Sequence, residues 1–366
     1  MSSEAGKSSS SRSDTTKNAL VDEKAQEGSN AIALPDHVAG SGSLDRLVDQ
    51  ARGYAAAATA ENTNKAYKTD WKHFSSWCRR KGVDPLVPSP AVIGLYISDC
   101  ANPADGRPAL AVSTIERRLA GLSATYRARG LTLDTKDRHI AAVWAGIKRQ
   151  HGKPPEQKHA VLVEDILEMV SALSFSLRDM RDRAILLVGY AGGLRRTEIV
   201  GLDVHKDDTP DSGGWVEILD DGAVLTLNAK TGWREVEIGR GSKDATCPVH
   251  ALEQWLHYAK IGFGPVFRRV TRDNAGVGTG RLSDKHVVRL IKRLVLETGV
   301  GTEKLSDKER VRLYAGHSLR AGLASSAEVD ERYVQKQLGH SSSEMTRRYQ
   351  RRRDRFRVNL TKAAGL

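Results

Sequence analysis

The chain has 366 residues, of which 39% are hydrophobic and 28% are charged, and this is enough material for two ordinary domains. The composition excludes collagen-like, disulfide-scaffold and membrane-spanning proteins. Lys and Arg exceed Asp and Glu by 57 to 45, a formal net charge of +12, so a polyanion such as nucleic acid is the first partner to test. A basic composition can also serve solubility alone, and charge does not decide between the two.

The cysteines and the apolar segments favour an intracellular protein. Cys78, Cys100 and Cys247 are odd in number, widely scattered and without CxxC spacing, which favours neither a disulfide framework nor a structural zinc site. The longest apolar stretch, residues 184–188, is too short to span a bilayer, and the N-terminal segment has no signal-peptide core. We therefore expect a soluble protein in a reducing cytoplasm.

The first half of the chain is predicted to form a small bundle of four helices. Residues 1–42 before it are rich in Ser, Gly and Asn and are expected to be a disordered arm. The four helices are marked, in order, by the apolar stripe Tyr67, Trp71, Phe74 and Cys78, by the N-cap Ser89 before Pro90, by a capping box of Ser113 and Glu116, and by residues 137–150.

The second half is predicted to be mostly helical, with a small antiparallel β-sheet. Residues 153–159 contain adjacent prolines and read as a linker between domains. Two helices follow over residues 163–173 and 177–190, and Gly192 and Gly193 separate the second of them from the next helix. Alternating stretches at 215–219, 223–227 and 234–238 predict three antiparallel strands. Helices are expected from Pro248 to the end.

Five groups of polar residues in this second half are candidates for chemistry. They are Arg195 with Glu198, Lys230, His317 with Arg320, His340, and Tyr349. Metal catalysis is disfavoured because the two histidines lack a third ligand at metal spacing. The sequence also has no GxSxG elbow and no GxxxxGK[ST] loop, so neither a serine hydrolase nor the use of ATP is indicated.

Four segments of the second half resemble, in the right order, the signature segments of the tyrosine site-specific recombinases, the phage integrase family. They are AGGLRRTEI, the hairpin lysine in NAKTGWREVEI, GHSLRAG and LGHSSSEMTRRY. The resemblance spans residues 159–350, and the helical bundle before it is similar to the core-binding domain of Cre-like members. It implies a helical core-binding domain over 43–152, an α+β catalytic domain over 160–350 and a basic C-terminal tail or helix over 351–366.

Elementary chemistry assigns roles to three of the candidate residues. Cleavage of a phosphodiester without metal or nucleotide needs a nucleophile, cations on the non-bridging oxygens and a proton donor for the leaving group. Tyr349 suits the first role, because a phosphotyrosyl ester preserves the bond energy for religation. Arg195 and Arg320 suit the second, because arginine is always charged and offers planar paired donors.

The resemblance implies roles for the remaining candidates. His317 would assist proton transfer at the tyrosine hydroxyl, and His340, nine residues before Tyr349, would donate a hydrogen bond to a phosphate oxygen. Lys230, at the tip of the predicted hairpin, would protonate the 5′-oxygen leaving group. We interpret Glu198 as a residue that orients the arginine and histidine groups. No cofactor is implied.

The function implied is a site-specific DNA recombinase that works through a 3′-phosphotyrosyl intermediate and integrates, excises or resolves DNA between paired sites. It would act as a tetramer on double-stranded DNA, with or without accessory proteins. It would be a cytoplasmic protein of bacterial or phage type, associated with the nucleoid. A type IB topoisomerase and a non-catalytic DNA-binding regulator remain as alternatives. The candidate DNA contacts are Arg117, Arg118, Arg127, Lys148, Arg149, Arg347 and Arg348.

Overall fold

The computed structural model describes residues 44–154, 158–229, 232–301, 305–326, 330–339, 342 and 344. The chain divides into two compact units, residues 1–155 and residues 156–366. No helix of the described residues is long and apolar enough to cross a membrane.

The described part of the first unit is helical. Its helices are α1 (Asp45–Ala57), α2 (Glu61–Lys81), α3 (Pro90–Ala101), α4 (Val112–Ala128) and α5 (Arg138–His151). The predicted N-cap Ser89 is confirmed, because its hydroxyl accepts the backbone N–H of Val92. Helix α1 was not among the predicted four, and none of its residues 45–55, whose burial is described, belongs to the buried core of the unit.

The core of this unit is built from aromatic side chains on α2, α3 and α4. Phe74 and Tyr96 are fully buried and meet edge to face, with ring centroids 5.0 Å apart. Trp77 packs on both rings, and its indole N–H donates to Asp99 at 3.0 Å. Of the predicted apolar stripe, Phe74 and Cys78 are buried in this core and Trp71 packs against it, whereas Tyr67 is only half-buried and lies outside it.

The predicted start of α4 was wrong. The helix begins one residue earlier, at Val112, and Ala111 occupies the N-cap position without a side-chain cap. Ser113 and Glu116 therefore lie inside the helix and do not form the capping box that their spacing suggested.

The second unit combines helices with two small sheets. Its helices are α6 (Val163–Ser171), α7 (Leu177–Ala191), α8 (Arg196–Gly201), α9 (Pro248–Tyr258), α10 (Asp284–Thr298), α11 (Asp307–Leu313), α12 (Ser318–Ser326) and α13 (Glu331–Leu338). Helix α7 is central, because residues 181–189 are all buried. The fold class, mostly α with small sheets in an α+β unit, is as predicted.

The larger sheet has four strands in the order β1 (Leu202–Asp203), β2 (Gly214–Ile218), β3 (Gly222–Ala229) and β4 (Gly232–Gly239). The pairs β2–β3 and β3–β4 are antiparallel, as the alternating pattern predicted, whereas the short β1 runs parallel to β2. Alternate residues of β3 and β4 point into the core, among them Leu225, Leu227, Val236 and Ile238.

The expectation that only helices follow Pro248 was wrong. Strands β5 (Arg268–Val270) and β6 (Val277–Arg281) form a separate antiparallel ribbon between α9 and α10. The ribbon is short and β6 contains two glycines, so the sequence shows no run of alternating apolar residues there.

Candidate active site

Arg195 stands at the N-cap position of α8, directly after the turn that ends α7. Gly193 has a φ of 55°, and a Cβ atom on it would lie 2.5 Å from Leu338, so both the turn and the close packing require glycine. Glu198, one turn into α8, accepts the backbone N–H of Arg195 at 2.8 Å and its guanidinium at 2.5 Å. The carboxylate therefore fixes Arg195 at both its backbone and its side chain.

Glu198 remains ionised although it is buried. Burial alone would raise the pKa of this carboxyl. The backbone N–H of Arg195 and the guanidinium groups of Arg234 and Arg195 outweigh that effect and hold the pKa below its ordinary value of 4.5. The site therefore contains one negative charge between two positive ones.

Arg320 lies on α12 and connects two other elements. Its side chain is 1% exposed, and it donates to the carbonyl of Gly193 at 2.8 Å and to the carbonyl of Leu338. The turn before α8 and the end of α13 are therefore both fixed to the same guanidinium.

His317 directly precedes α12, and its carbonyl accepts the backbone N–H of Ala321 at 2.9 Å. Desolvation by the surrounding protein lowers the pKa of its imidazole below 6.5, and the nearby charges of Arg320, Arg195 and Arg196 lower it further. Glu198 acts in the opposite direction. The exposed His317 thus lies within electrostatic reach of Arg320, Arg195 and Glu198, and its lowered pKa favours the neutral imidazole near pH 7.

Several predicted site residues lie outside the described part of the chain. Strand β3 ends at Ala229 and β4 begins at Gly232, and these two residues pair with each other. The residues outside the description are Lys230, His340, Tyr349, Arg347 and Arg348. Their assigned roles stay predictions.

Arg234 is a residue of the site that the sequence reasoning missed. It lies on β4 and donates to Glu198 at 3.0 Å and to the carbonyl of Gln337 at 2.6 Å. The sequence did contain a signal for a buried arginine. Arg234, Val236 and Ile238 are two residues apart in turn, so their side chains lie on the same, inward face of the strand. An arginine at such a position must find a partner.

The basic residues of the helical unit divide into two groups. Arg127, Lys148 and Arg149 are exposed and remain candidates for contact with DNA, and Arg117 is half exposed beside Asp70. Arg118 is 12% exposed and donates to Tyr96 at 3.1 Å, with a ring nitrogen of His73 at 2.9 Å. Arg118 is therefore partly buried and bound within the bundle, and its role as a DNA contact stays a prediction.

The comparisons with known proteins agree with this geometry. Residues 160–355 match the model of the phage integrase family. The chain is 31% identical to an integrase/recombinase XerD homologue of Selenomonas ruminantium over 260 residues, which cover 69% of this chain and 72% of the relative. Among the residues described here, no three His, Cys, Asp or Glu side chains cluster so that they could hold a metal ion.

Two solved structures show the same fold. One is the XerH site-specific recombinase in a post-cleavage complex with palindromic difH substrate, at a TM-score of 0.53 and 16% identity, covering 90% of this chain and 85% of that one. The other is lambda integrase in a dimer bound to a COC′ core site, at 0.52 and 19%, covering 86% and 95%. On the family match and the relative's identity, the chain belongs to the phage integrase family and is a tyrosine recombinase, an enzyme that cleaves and rejoins DNA in site-specific recombination.

Proposed function

We propose that the enzyme cleaves one DNA strand with the hydroxyl of Tyr349, holds it as a 3′-phosphotyrosyl ester with a free 5′-hydroxyl, and rejoins strands between paired sites. The observation that supports this most strongly is the convergence of Arg195, Arg320, Glu198 and His317. Two guanidinium groups beside a neutral imidazole provide positive charge for a pentacoordinate phosphate and a base for a phenol.

The described residues support separate roles for the individual side chains in this reaction. Glu198 binds one nitrogen of Arg195, so the other N–H groups of that guanidinium can serve the phosphate. His317, whose lowered pKa keeps it neutral, accepts the phenolic proton of Tyr349. Lys230 then protonates the 5′-oxygen, and His340 donates to a non-bridging oxygen. The electron pair of the breaking P–O bond leaves with the 5′-oxygen.

We also propose that strand exchange takes place in a tetramer on two DNA sites. Each recombining site has two strands to cut, and each protomer supplies one tyrosine, so two paired sites need four protomers. Residues 345–366 carry seven Arg and one Lys against one Asp, which supports contact with phosphates and association with the nucleoid. The relatives are recombinases, so a topoisomerase or a non-catalytic regulator is not favoured.

The experiment starts from DNA of the source organism, because the target site is not known. Sheared genomic DNA is incubated with the protein, covalent complexes are captured under denaturing conditions, and the bound fragments are sequenced. Peptide mapping should find the adduct at Tyr349. The released strands should accept a 5′-phosphate from a kinase without phosphatase treatment, because the 5′-hydroxyl is free.

A matched pair of tyrosine variants decides the assignment. Tyr349→Phe should form no adduct, whereas Tyr333→Phe, on the exposed face of α13, should form it as the wild type does. An adduct in Tyr349→Phe contradicts the proposal. Relaxation of a supercoiled plasmid that lacks the recovered site would point to a topoisomerase instead.

A further inference from the structure

Arg234 is an arginine on the buried face of a strand. It pairs across the sheet with Leu227, and its side chain is 11% exposed. Placing a guanidinium there costs desolvation free energy, which must be offset by fixed partners. Its two partners lie on α8, which carries Glu198, and at the end of α13, and they bind two of its N–H groups, whereas its Nε is buried without a hydrogen-bond partner.

The first partner of Arg234 is the carboxylate of Glu198. One oxygen of this carboxylate accepts from the guanidinium of Arg195 at 2.5 Å, and the other accepts from the guanidinium of Arg234 at 3.0 Å. Each oxygen thus accepts from a different guanidinium, and the oxygen that faces Arg234 also accepts the backbone N–H of Arg195, so the orientation of the carboxylate is fixed from both sides. Arg234 also compensates the charge of Glu198, so the positive charge of Arg195 is not cancelled.

The second partner of Arg234 is the C-terminal end of α13. Its guanidinium donates to the carbonyl of Gln337 at 2.6 Å, next to the Leu338 carbonyl that Arg320 holds. The side-chain amide of Gln337 in turn donates to the carbonyl of Glu237 on β4 at 3.1 Å. Two arginines and one amide therefore fix the last turn of this helix to β4 and α12.

The residue after this turn is packed directly on Arg234. Gly339 has a φ of 59°, and a Cβ atom on it would lie 2.7 Å from Cδ of Arg234. Only glycine satisfies both the backbone angle and this contact. Gly339 directly precedes His340 in the sequence.

We propose that Arg234 is a positioning residue of the recombinase site. Arg234 fixes the position of Glu198, and through it that of Arg195, relative to the end of α13. It does so from β4, a strand that begins two residues after Lys230 in the sequence. It contacts neither DNA nor the reacting atoms. This inference rests on the proposed function, because positioning has a meaning only for a site that cleaves DNA.

The two-partner geometry makes a specific demand on the side chain. A planar guanidinium directs separate N–H groups at the Glu198 carboxylate and at the Gln337 carbonyl, whereas a lysine ammonium is one compact charge. Arg234→Lys keeps the charge and most of the volume but loses one of the two fixed contacts. Arg234→Met keeps the apolar stem and loses both.

The experiment uses the full-length protein and a suicide substrate built from the recovered site. Single-turnover cleavage is measured at saturating protein for the wild type, Arg234→Lys, Arg234→Met and Arg240→Met. Arg240 is the control, because it follows the end of the same strand and pairs with the surface residue Glu253 at 2.6 Å. DNA affinity and the thermal unfolding midpoint are measured in parallel.

We expect Arg234→Lys to lower the cleavage rate by about 10- to 100-fold, with DNA affinity and the unfolding midpoint close to wild type. Arg240→Met should cleave as the wild type does. A wild-type cleavage rate in both Arg234 variants would overturn the inference. A loss of DNA affinity in proportion to the loss of cleavage would also overturn it, because it would make Arg234 a DNA contact.

A double-mutant cycle tests the connection to Glu198. If Arg234 acts through the carboxylate, Glu198→Gln combined with Arg234→Lys should lose about as much cleavage as the more damaging single variant. If the double variant instead lost cleavage by the product of the two single-variant factors, Arg234 and Glu198 would act independently, and the inference would be contradicted. If the wild type itself forms no covalent complex, the proposed function fails, and that outcome is distinct from every result above.

Discussion

Both units of the chain bury a carboxylate between two arginines, at Asp70 in the first unit and at Glu198 in the second, and the two sites differ in what holds the carboxylate. Asp70 lies within α2 and faces Arg117 and Arg118, which are neighbours on one helix. Glu198 lies in the first turn of α8 and faces Arg195 and Arg234, which belong to different elements. Glu198 also accepts a backbone N–H, at the end of a helix where the dipole favours an anion.

Because of this difference, the pKa values of the two carboxyl groups are shifted in opposite directions. Burial raises the pKa of the Asp70 carboxyl above its ordinary value, because Arg117 and Arg118 only partly offset the desolvation. At Glu198 the backbone N–H and the two guanidinium groups stabilise the charged carboxylate by more than burial destabilises it, so the pKa is lowered. A buried carboxylate with two arginines is thus less favourable in its charged form in one unit and more favourable in its charged form in the other.

The largest expected effect on cleavage is found by comparing an arginine of the candidate site with an arginine of the helical unit. Arg195→Gln should lower single-turnover cleavage about 100- to 1,000-fold, because it removes a positive donor from the developing phosphate charge. Arg107→Gln, which breaks an exposed pair with Asp105 in the helical unit, should leave the rate unchanged. Cleavage is measured on the suicide substrate at saturating protein, and equal rates in the two variants would remove Arg195 from the site.

A smaller effect is expected from the two carboxylates. Glu198→Gln should lower cleavage by about 10- to 100-fold, because Arg195 loses the charged partner that orients it. Asp70→Asn should leave the rate constant of the bound complex unchanged, since Asp70 orients residues of the helical bundle. If Asp70→Asn slowed cleavage as much as Glu198→Gln, the distinction between the two sites would not hold.

The pH dependence of cleavage should follow His317. Because its pKa lies below 6.5, the imidazole is neutral above that pH and can accept the phenolic proton. The rate should therefore fall about tenfold per pH unit only as pH drops through this lowered pKa. Glu198→Gln should move the fall to still lower pH, because that carboxylate raises the pKa of His317. An acidic limb that survives in His317→Gln would assign it to another group.

The two carboxylates should also give stability slopes of opposite sign. The pKa of Glu198 is lowered on folding, so its contribution to the free energy of unfolding is present above pH 4.5 and is lost as pH falls through the folded value. The pKa of Asp70 is raised on folding, so its contribution decreases as pH rises from 3.8 through the folded value. Urea unfolding of Glu198→Gln and Asp70→Asn across this range should show each slope removed, and slopes of the same sign would contradict the assignment.

The sequence predicted those parts of the site that depend on patterns among residues close together in the chain. The helix break at Gly192 and Gly193 and the alternation of β3 and β4 are local patterns, and the structure has these elements where they were predicted. Arg234 was missed because its partners, Glu198 and Gln337, are 36 and 103 residues away along the chain. No local pattern shows which distant carboxylate a buried arginine will meet.

Arg118 shows the same limit in the helical unit. Arg117 and Arg118 are neighbours on α4, and the sequence analysis predicted both as DNA contacts. Successive residues of a helix are about 100° apart, so the two side chains cannot face the same way. His73 and Tyr96, which receive Arg118, lie on α2 and α3, and helix packing decides which arginine turns inward.

The smallest expected effect distinguishes exposed from buried basic residues of the helical unit. Arg127→Ala and Lys148→Ala should each reduce the slope of log affinity against log salt by about 0.9, if each side chain contacts one phosphate. Arg118→Ala should leave the slope unchanged and lower the unfolding midpoint, because it leaves Asp70 with less of its compensating charge. Fluorescence anisotropy over a range of salt concentrations measures the slopes. An unchanged slope in Arg127→Ala and Lys148→Ala would place the DNA on another surface of this unit, whereas a reduced slope in Arg118→Ala would mean that the inward guanidinium reaches phosphate after all.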